Sequence, residues 1–365
     1  MTWRTFTVLL IVLAAAGAVY LISRFRRFEL MKRISGGRRA LSWLLAAIPV
    51  AAIAGFAFIN VITMTVVYLH LILIWILCDL IGFLARKASG KNPRRYYQGA
   101  AALIITVLYL GSGWFFAHHV FRTSYAFTTS KDLGQPSLRV AAIADAHIGI
   151  TLDGEDFARQ MKRIQETDPD IVVIVGDFVD DDTDKDDMIA ACRALGALDT
   201  AYGVYFVYGN HDNGYYNYRN FTSQELRAAL IENHVTILED KAILIHDSFY
   251  LIGRQDRTMP SRAEAAALTE GLDDSRYMIM LDHQPNDYAG EAASEADLVL
   301  SGHTHGGHIF PAGLIGLWMG ANDRVYGTER RGNTDFIVTS GISGWGIPFK
   351  TGTISEYVII DITME

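Results

Sequence analysis

Four apolar stretches, each about 20 residues long, dominate the N-terminal part of the chain, and that is the length a helix needs to cross a bilayer. They cover residues 3–22, 41–59, 61–84 and 99–121. Up to residue 122 the chain carries 14 Lys and Arg residues against two acids, whereas the remainder carries 18 basic and 38 acidic residues. These contrasts predict a membrane domain at residues 1–122 with four transmembrane α-helices, followed by a chemically different domain at residues 123–365.

The loops between the apolar stretches predict the orientation in the membrane. Seven Lys and Arg residues separate the first two stretches and five separate the last two, and short loops rich in these residues stay in the cytoplasm. We therefore expect a multi-pass protein of the inner or plasma membrane, with residues 123–365 on the periplasmic or extracellular side. The first stretch also has signal-peptide character, but its apolar run continues to Ile22, which favours an uncleaved anchor. The alternative orientation places the second domain in the cytoplasm.

The acidic part of the chain alternates short apolar strands with amphipathic helices. Residues 138–144 and 170–175 have the composition of buried strands, and residues 156–166 between them have the apolar spacing of a helix. This alternation predicts an α/β domain, and further strands towards the C-terminus predict a second sheet. Because nucleic acid needs a basic surface for its phosphates, the acidic charge argues against nucleic acid as a partner.

Polar side chains follow five of the predicted strands at the point where each strand ends. Open α/β folds place their sites at the carboxyl ends of strands, so we expect these side chains to converge. The five groups are Asp145 with His147, Asp177 with Asp180, Asn210 with His211 and Asp212, Asp282 with His283, and His303 with His305. A shared site explains five such strand ends better than separate packing or capping roles do.

This pattern resembles the calcineurin-like metallophosphoesterase superfamily. It is most similar to the bacterial membrane-anchored phosphohydrolases, whose last motif reads Gly-His-Thr-His-Gly-Gly, as residues 302–307 do here. The resemblance covers residues 138–362 and leaves the four apolar stretches outside. It implies a four-layer αββα sandwich and the activity of a metal-dependent phosphatase or phosphodiesterase.

The resemblance also implies two divalent cations that share one carboxylate. The residues it assigns to the first ion are Asp145, His147, Asp177 and His305, and those it assigns to the second are Asp177, Asn210, His283 and His303. Carboxylate, imidazole and amide donors without thiolate suit Mn²⁺, Fe²⁺ or Zn²⁺. Two such ions clamp phosphoryl oxygens and activate a water molecule, which then attacks phosphorus as hydroxide.

Two further residues of the third motif receive catalytic roles from the same resemblance. His211 is expected to be the general acid that protonates the leaving oxygen. Asp212, the next residue, is expected to orient the ring of His211.

Several other residues keep two interpretations open. Asp180 either supports the site or caps the following helix. His308 stands where this branch of the superfamily has Gln, so its role is open. Four arginines either hold a substrate phosphate or lie on the surface, namely Arg254, Arg324, Arg330 and Arg331.

Two apolar loops follow site motifs, at residues 215–218 and 314–319. One interpretation is that they are packed lid residues. The other is that they enter the outer leaflet or grip acyl chains, because Trp and Tyr favour the membrane interface. In the second case, polar replacements at Leu317 and Trp318 should weaken binding to lipid vesicles.

Together these features predict a membrane-anchored dinuclear-metal phosphoesterase that hydrolyses a phosphate ester or anhydride. A lipid or lipid-linked substrate is expected, with membrane lipids as partners, because a tether confines the site near a surface-bound substrate. One alternative is an enzyme that acts on soluble nucleotides. Another is a non-enzymatic sensor that uses the metal site to bind a phosphorylated ligand. The sequence predicts no particular oligomeric state.

Overall fold

The computed structural model describes residues 3–58, 60–90, 95–215 and 218–365. The chain forms two compact units, Met1–Ser112 and Gly113–Glu365. The second unit begins before the domain boundary predicted at residue 122, because residues 113–118, which end a helix, are bonded to other segments of that unit. The backbone N–H of Lys350 donates to the carbonyl of Gly113, and the Ser355 hydroxyl donates to the carbonyl of Ala117.

Helices make up the described part of the first unit. They are α1 (Trp3–Phe25), α2 (Glu29–Ser35), α3 (Arg39–Gly55), α4 (Val61–Ser89) and α5 (Tyr97–His118), with a 3-10 turn at Phe56–Phe58. Asn60 separates that turn from α4, and its side-chain oxygen accepts a hydrogen bond of 2.8 Å from the backbone N–H of Thr63. This N-cap satisfies one of the free donors at the start of α4.

Two helices, α4 and α5, are long and apolar enough to cross a membrane. Among the described residues, two of the four predicted transmembrane helices therefore meet this criterion. The second predicted stretch falls short because α3 has 17 residues, contains Pro49 and gives way to the 3-10 turn. In the first stretch, the segment Ala14–Phe25 is apolar but shorter than this criterion requires.

A cluster of polar side chains ties the helices of the first unit together around Asp79 of α4. The guanidinium of Arg24 lies 2.8 Å from one carboxylate oxygen. The hydroxyl of Tyr96 donates to the other oxygen at 2.8 Å, and the hydroxyl of Tyr20 donates to the first at 3.2 Å. A carboxylate among apolar helices is costly unless it is paired and hydrogen-bonded, and these contacts supply both conditions.

The second unit contains two six-stranded sheets. The first has the order β1-β12-β2-β3-β4-β5, and the second has the order β10-β11-β9-β8-β7-β6. The strands are β1 (Val120–Thr129), β2 (Ser137–Ile143), β3 (Ile171–Val175), β4 (Val204–Val207), β5 (Val235–Ile237), β6 (Lys241–Ile245), β7 (Phe249–Gly253), β8 (Met278–Leu281), β9 (Leu298–Ser301), β10 (Gly327–Arg331), β11 (Thr334–Val338) and β12 (Ser355–Met364). Both sheets mix parallel and antiparallel pairs.

The two sheets pack face to face, and helices cover their outer faces. Side chains such as Val173 and Leu281 fill the space between the sheets, while Phe157 and Tyr288 belong to the two outer cores. The helices are α6 (Gly154–Gln165), α7 (Lys185–Gly196), α8 (Ser223–Glu232), α9 (Ala265–Thr269), α10 (Tyr288–Ala292) and α11 (Ala312–Trp318), with a 3-10 turn at His305–Gly307. The predicted α/β fold is confirmed, and its layers run helix, sheet, sheet, helix.

Strand β1 was not among the predicted strands. It begins two residues after α5 ends and pairs in parallel with β12, from Val120 opposite Ser355 to Thr129 opposite Met364. Its buried and exposed side chains alternate, as expected for a strand with one covered face. Its first residues overlap the apolar stretch predicted to end at residue 121, which concealed this alternation.

Candidate metal centre

The five polar groups predicted at strand ends converge in the structure. Strands β2, β3 and β4 run parallel in the first sheet, and β8 and β9 run parallel in the second. Their carboxyl ends therefore meet at one edge of the sandwich. Three groups have ligand atoms that all lie within 4.8 Å of one another, namely Asp145 with His147 and His305, Asp177 with His283 and His303, and His147 with Asp180 and His211.

The first group has the spacing of ligands around a single ion. The Nε2 atoms of His147 and His305 are 3.2 Å apart, and Nε2 of His305 is 3.6 Å from an oxygen of Asp145. Two donors that each lie about 2.1 Å from one ion, at an angle near 100°, are separated by about 3.2 Å. The donors therefore fit a divalent cation between them.

Asp177 lies between the first and second groups. Its Oδ2 atom is 3.0 Å from Nε2 of His283 and 3.7 Å from Nε2 of His147. Nδ1 of His283 lies 2.8 Å from the carbonyl oxygen of Val175, and that bond directs Nε2 towards the site. Asp177 is therefore the one carboxylate of the first two groups whose oxygen approaches ligands of both.

Electrostatics also fit a cation site. Burial lowers the pKa of His305 well below its ordinary value, and burial together with the charge of His283 lowers the pKa of His303 to about 4. Both rings are therefore neutral and have a lone pair to offer a metal. Burial raises the pKa of Asp145 to about 6. Burial would also raise that of Asp177, but the neighbouring His283 and His147 hold its pKa below the usual range.

The backbone at the strand ends is closely packed and has an unusual conformation. Gly302 packs so closely on Asp145 that an added Cβ would lie 2.5 Å from a carboxylate oxygen, and a Cβ at Gly209 would clash with Asp177. Five predicted ligands have the left-handed backbone that L-residues rarely adopt, and such strain clusters at functional sites. These are Asp145 (φ 53°), His147 (φ 36°), Asp177 (φ 52°), His303 (φ 69°) and His305 (φ 47°).

Asn210 lies in the same wall of the site, between Gly209 and His211. Its side-chain Nδ2 donates to the hydroxyl of Tyr215 at 2.9 Å, and its Oδ1 accepts from Nε2 of Gln284 at 3.4 Å. The backbone N–H of His211 donates to Oδ1 of Asp177 at 2.8 Å. The amide of Asn210 is therefore held beside the second group by its sequence neighbours and by Gln284.

His211 is oriented by Asp180. Nδ1 of His211 lies 3.2 Å from one oxygen of Asp180, and the other oxygen lies 3.0 Å from Nδ1 of His147. Burial would lower the pKa of His211, but the bond to Asp180 and the charge of Asp177 raise it above its ordinary value. The alternative role of Asp180 as a helix cap is not observed, because Asp184 caps α7.

Asp212 does not orient His211, so the role predicted for it is wrong. Its carboxylate is fully buried and accepts hydrogen bonds from four backbone N–H groups. These donors are Gly209 (2.7 Å), Asp177 (3.0 Å), Phe178 (2.8 Å) and Val179 (3.1 Å). Asp212 therefore bonds the loop after β4 to the loop after β3 and supports the site through the backbone.

The structure also gives the contacts of His308 and of the four arginines, whose roles the sequence left open. The ring of His308 stacks on that of His305 with 5.2 Å between centroids, and burial lowers its pKa to about 3. Arg254 is buried against the carboxylates of Asp282 and Asp287, at 2.9 Å from each. The other three arginines pair with acids near β10 and β11, as Arg324 with Glu329, Arg330 with Asp335, and Arg331 with Glu329.

The loop at 314–319 is not packed as a lid. It forms most of α11, and each of the seven residues of α11 is at least partly exposed. The exposed fraction reaches 60% for Leu314 and 87% for Trp318. In the other loop, Tyr215 is exposed and reaches Asn210, while residues 216–217 lie outside the described part of the chain.

Three residues near the site were missed by sequence reasoning. The ring of Trp345 lies 5.6 Å from that of His211. Gln284 contacts Asn210, and Asp256 contacts Gln284. A signal was present for two of them, because Gln284 directly follows His283 and Asp256 follows the end of β7.

Comparisons with known proteins identify the family of this chain. The model of the calcineurin-like phosphoesterase family matches residues 138–307. The chain is 30% identical over 230 residues to an uncharacterized metallophosphoesterase of Campylobacter jejuni, covering 62% of this chain and 59% of that protein. It is 30% identical over 247 residues to a transmembrane protein with metallophosphoesterase domain of Danio rerio, covering 60% of this chain and 52% of that protein. The chain thus spans less than two thirds of the length of these two relatives.

A third relative is matched over most of its length. An uncharacterized metallophosphoesterase of Aquifex aeolicus is 30% identical over 250 residues, which cover 65% of this chain and 90% of that protein. Among solved structures, a dimetal phosphatase from Danio rerio is similar at 12% identity with a TM-score of 0.35, covering 57% of this chain and 88% of the other. The chain belongs to the calcineurin-like phosphoesterases.

Proposed function

We propose that this protein is a membrane-anchored phosphoesterase that uses two divalent cations to hydrolyse a phosphate ester or anhydride on a lipid or lipid-linked substrate. The observation that supports the metal pair best is the position of Asp177, whose Oδ2 approaches His283 and His147 together. The first ion would be held by Asp145, His147, Asp177 and His305. The second would be held by Asp177, Asn210, His283 and His303.

The donor set of imidazole nitrogens, carboxylates and one amide suits Mn²⁺, Fe²⁺ or Zn²⁺. When bound, two such cations neutralise phosphoryl oxygens and make water a nucleophile at neutral pH. His211 would supply a proton to the leaving oxygen, because the bond to Asp180 and the charge of Asp177 raise the pKa of its ring and so favour the protonated form. Asp180 fixes that ring through Nδ1, so the proton available for transfer is the one on Nε2.

The membrane part of the proposal rests on the apolar helices α4 and α5 and on the charges of the loops. We propose four membrane spans, with the phosphoesterase unit on the periplasmic or extracellular side. An alkaline phosphatase fused after Glu365 should then be active, because that enzyme folds only outside the cytoplasm. If green fluorescent protein fused at the same position is fluorescent and the phosphatase fusion is inactive, the unit lies in the cytoplasm instead.

The apolar surface of α11 supports a lipid substrate. The helix follows the His305–Gly307 turn in sequence, and Gly313 lies so close to Gly307 that the helix lies beside that turn. Its exposed side chains include Leu314, Leu317 and Trp318. Trp and Leu on one short exposed helix suit the interface between headgroups and acyl chains.

Polar replacement of Leu317 and Trp318 should reduce activity on lipids selectively. Each large side chain contributes about 1.5–3 kcal/mol when it leaves water, so the variant L317N/W318S should turn over a phosphorylated lipid at least about tenfold more slowly. The full chain is reconstituted in liposomes that contain phosphatidic acid or an isoprenyl diphosphate, whichever the parent hydrolyses faster. Turnover of the water-soluble bis(4-nitrophenyl) phosphate should not change.

Ile231 of α8 offers a matched control, since it is an apolar side chain with 56% of its surface exposed. The variant Ile231→Ser should keep parental activity on both kinds of substrate. Equal losses of L317N/W318S on lipid and soluble esters would show that α11 supports the fold rather than lipid access. Faster parental turnover of nucleotides than of either lipid would favour the soluble-substrate alternative.

A further inference from the structure

Two buried polar side chains, Asp256 and Gln284, lie behind the amide of Asn210. Gln284 directly follows His283, and its Nε2 donates to the two oxygens of Asp256 at 2.9 and 3.1 Å. Asp256 is 1% exposed and Gln284 is 7% exposed. The charge of Asp256 is thus held inside the protein, and Gln284 carries the contact from this charge to the site.

Gln284 and Tyr215 together determine which end of the Asn210 amide faces which neighbour. Nε2 of Gln284 can only donate, so at 3.4 Å it selects the oxygen of Asn210. The hydroxyl of Tyr215 accepts from Nδ2 at 2.9 Å. An amide oxygen has two lone pairs, so Oδ1 can accept from Gln284 and still bind a cation, whereas Nδ2 cannot bind one. Without Gln284, the amide could rotate and present its nitrogen instead.

Asp256 also contributes negative charge to the second group of ligands. Its carboxylate acts electrostatically on His283 and on His303. A carboxylate in a poorly solvated interior attracts a nearby divalent cation more strongly than one in water does. Asp256 contacts Asn210 through Gln284, whose Nε2 donates to both residues.

A purely structural role for Asp256 would be served by its local turn. Its Oδ1 accepts from the backbone N–H of Thr258 at 2.8 Å and from the Thr258 hydroxyl at 2.6 Å. Those bonds do not involve the metal centre. The two contacts with Gln284 are additional, and they point towards Asn210.

We propose that Gln284 and Asp256 are positioning residues for the second metal ion: Gln284 presents the oxygen of Asn210 to the ion, and Asp256 fixes Gln284 and adds charge. This inference rests on the proposed assignment of Asn210, His283 and His303 to one ion. Residues behind the ligands commonly change metal affinity by about 10–100-fold. The second ion should therefore depend on Gln284 and Asp256, and the first should not.

The test measures Mn²⁺ binding to the purified full chain by calorimetry and electron paramagnetic resonance. The variants are Gln284→Met, which keeps the length of the side chain but removes its donors, and Asp256→Asn, which removes the charge at constant shape. Each should weaken the second Mn²⁺ affinity about 10–100-fold and leave the first unchanged. At concentrations that saturate the parent, the spectrum of a coupled Mn²⁺ pair should give way to that of an isolated Mn²⁺.

Asp297→Asn is the matched control, because Asp297 is a half-buried carboxylate just before β9, at the end of that strand opposite the site. It should bind both ions as the parent does. Parental affinity at both sites in Gln284→Met and Asp256→Asn would overturn the inference. Equal weakening of both sites together with a lower melting temperature of the metal-free protein would show a structural role only. If the parent itself bound no Mn²⁺ pair, the proposed function would fail instead.

Discussion

Replacing Asp177 by asparagine should abolish the metal pair and lower turnover by about 10³-fold. The substitution keeps an oxygen that can accept from the backbone N–H of His211, so the local fold should persist. It puts an N–H₂ group in place of Oδ2, the atom that approaches both His283 and His147. A carboxylate that two cations share cannot be replaced by a neutral amide without loss of both charge and a donor atom.

The measurement combines metal content with turnover of bis(4-nitrophenyl) phosphate in the Mn²⁺-loaded full chain. Asp170→Asn is the control, because Asp170 directly precedes β3 whereas Asp177 follows it, and its carboxylate caps the N–H of Arg139. That variant should retain the parental metal content and rate. Two bound Mn²⁺ ions with near-parental turnover in Asp177→Asn would contradict a bridging role for Asp177.

Replacing His211 by alanine should slow the hydrolysis of alkyl phosphate esters by about 10²–10⁴-fold. An alkoxide is a strong base, so its departure needs the proton that His211 holds at Nε2. A nitrophenolate leaves without that help, and bis(4-nitrophenyl) phosphate should lose far less. The ratio of the two rates therefore reports on proton donation and is insensitive to a general loss of active protein.

His246→Ala serves as the control for His211, because the His246 ring contacts Tyr202 rather than any residue of the metal centre. It should preserve both rates. Asp180→Asn should give the same substrate-dependent loss as His211→Ala, but a smaller one, because the ring keeps its proton donor and loses its orientation. Losses of equal size on alkyl and aryl esters would mean that His211 holds the substrate or the fold instead.

The placement of the metal centre could be predicted because its signals are local. Strands such as β3 are short apolar runs, and Asp177 and His283 are each the second residue after such a run. Parallel pairing brings the ends of β2, β3 and β4 to one edge of the first sheet and the ends of β8 and β9 to one edge of the second, whatever the length of the connections between them. The α/β class and the gathering of polar residues at the strand ends of each sheet needed no further information, whereas the packing of one sheet on the other joins the two sets.

The choice between Asp180 and Asp212 as partner of His211 could not be made locally. Asp212 is the sequence neighbour of His211, but neighbouring side chains in a loop need not face each other. The path of the loop after β4 directs the carboxylate of Asp212 onto four backbone N–H groups, while Asp180 arrives from the loop after β3. A contact between two loops depends on how both are packed, so it cannot be predicted from spacing along the chain.

In the membrane part, apolar composition is a poorer guide to the structure. Apolar composition predicts four stretches long enough to span a bilayer, but helix length also depends on where the backbone can continue. Pro49 lies inside α3 and the 3-10 turn follows Gly55, so this stretch yields a shorter helix than its composition suggests. Strand β1 was concealed in the same way, at the end of an apolar run.

Local chemistry alone predicted the α/β class and the Asp and His residues that follow the strand ends. Only the tertiary structure decided which carboxylate holds His211, that α11 is exposed, and that Asp256 reaches Asn210 through Gln284. Apolar runs and residue spacings indicate which residues are buried or lie at strand ends, because those properties depend on neighbouring residues in the sequence. Contacts between distant loops depend on the packing of whole layers, and that packing exists only in the folded chain.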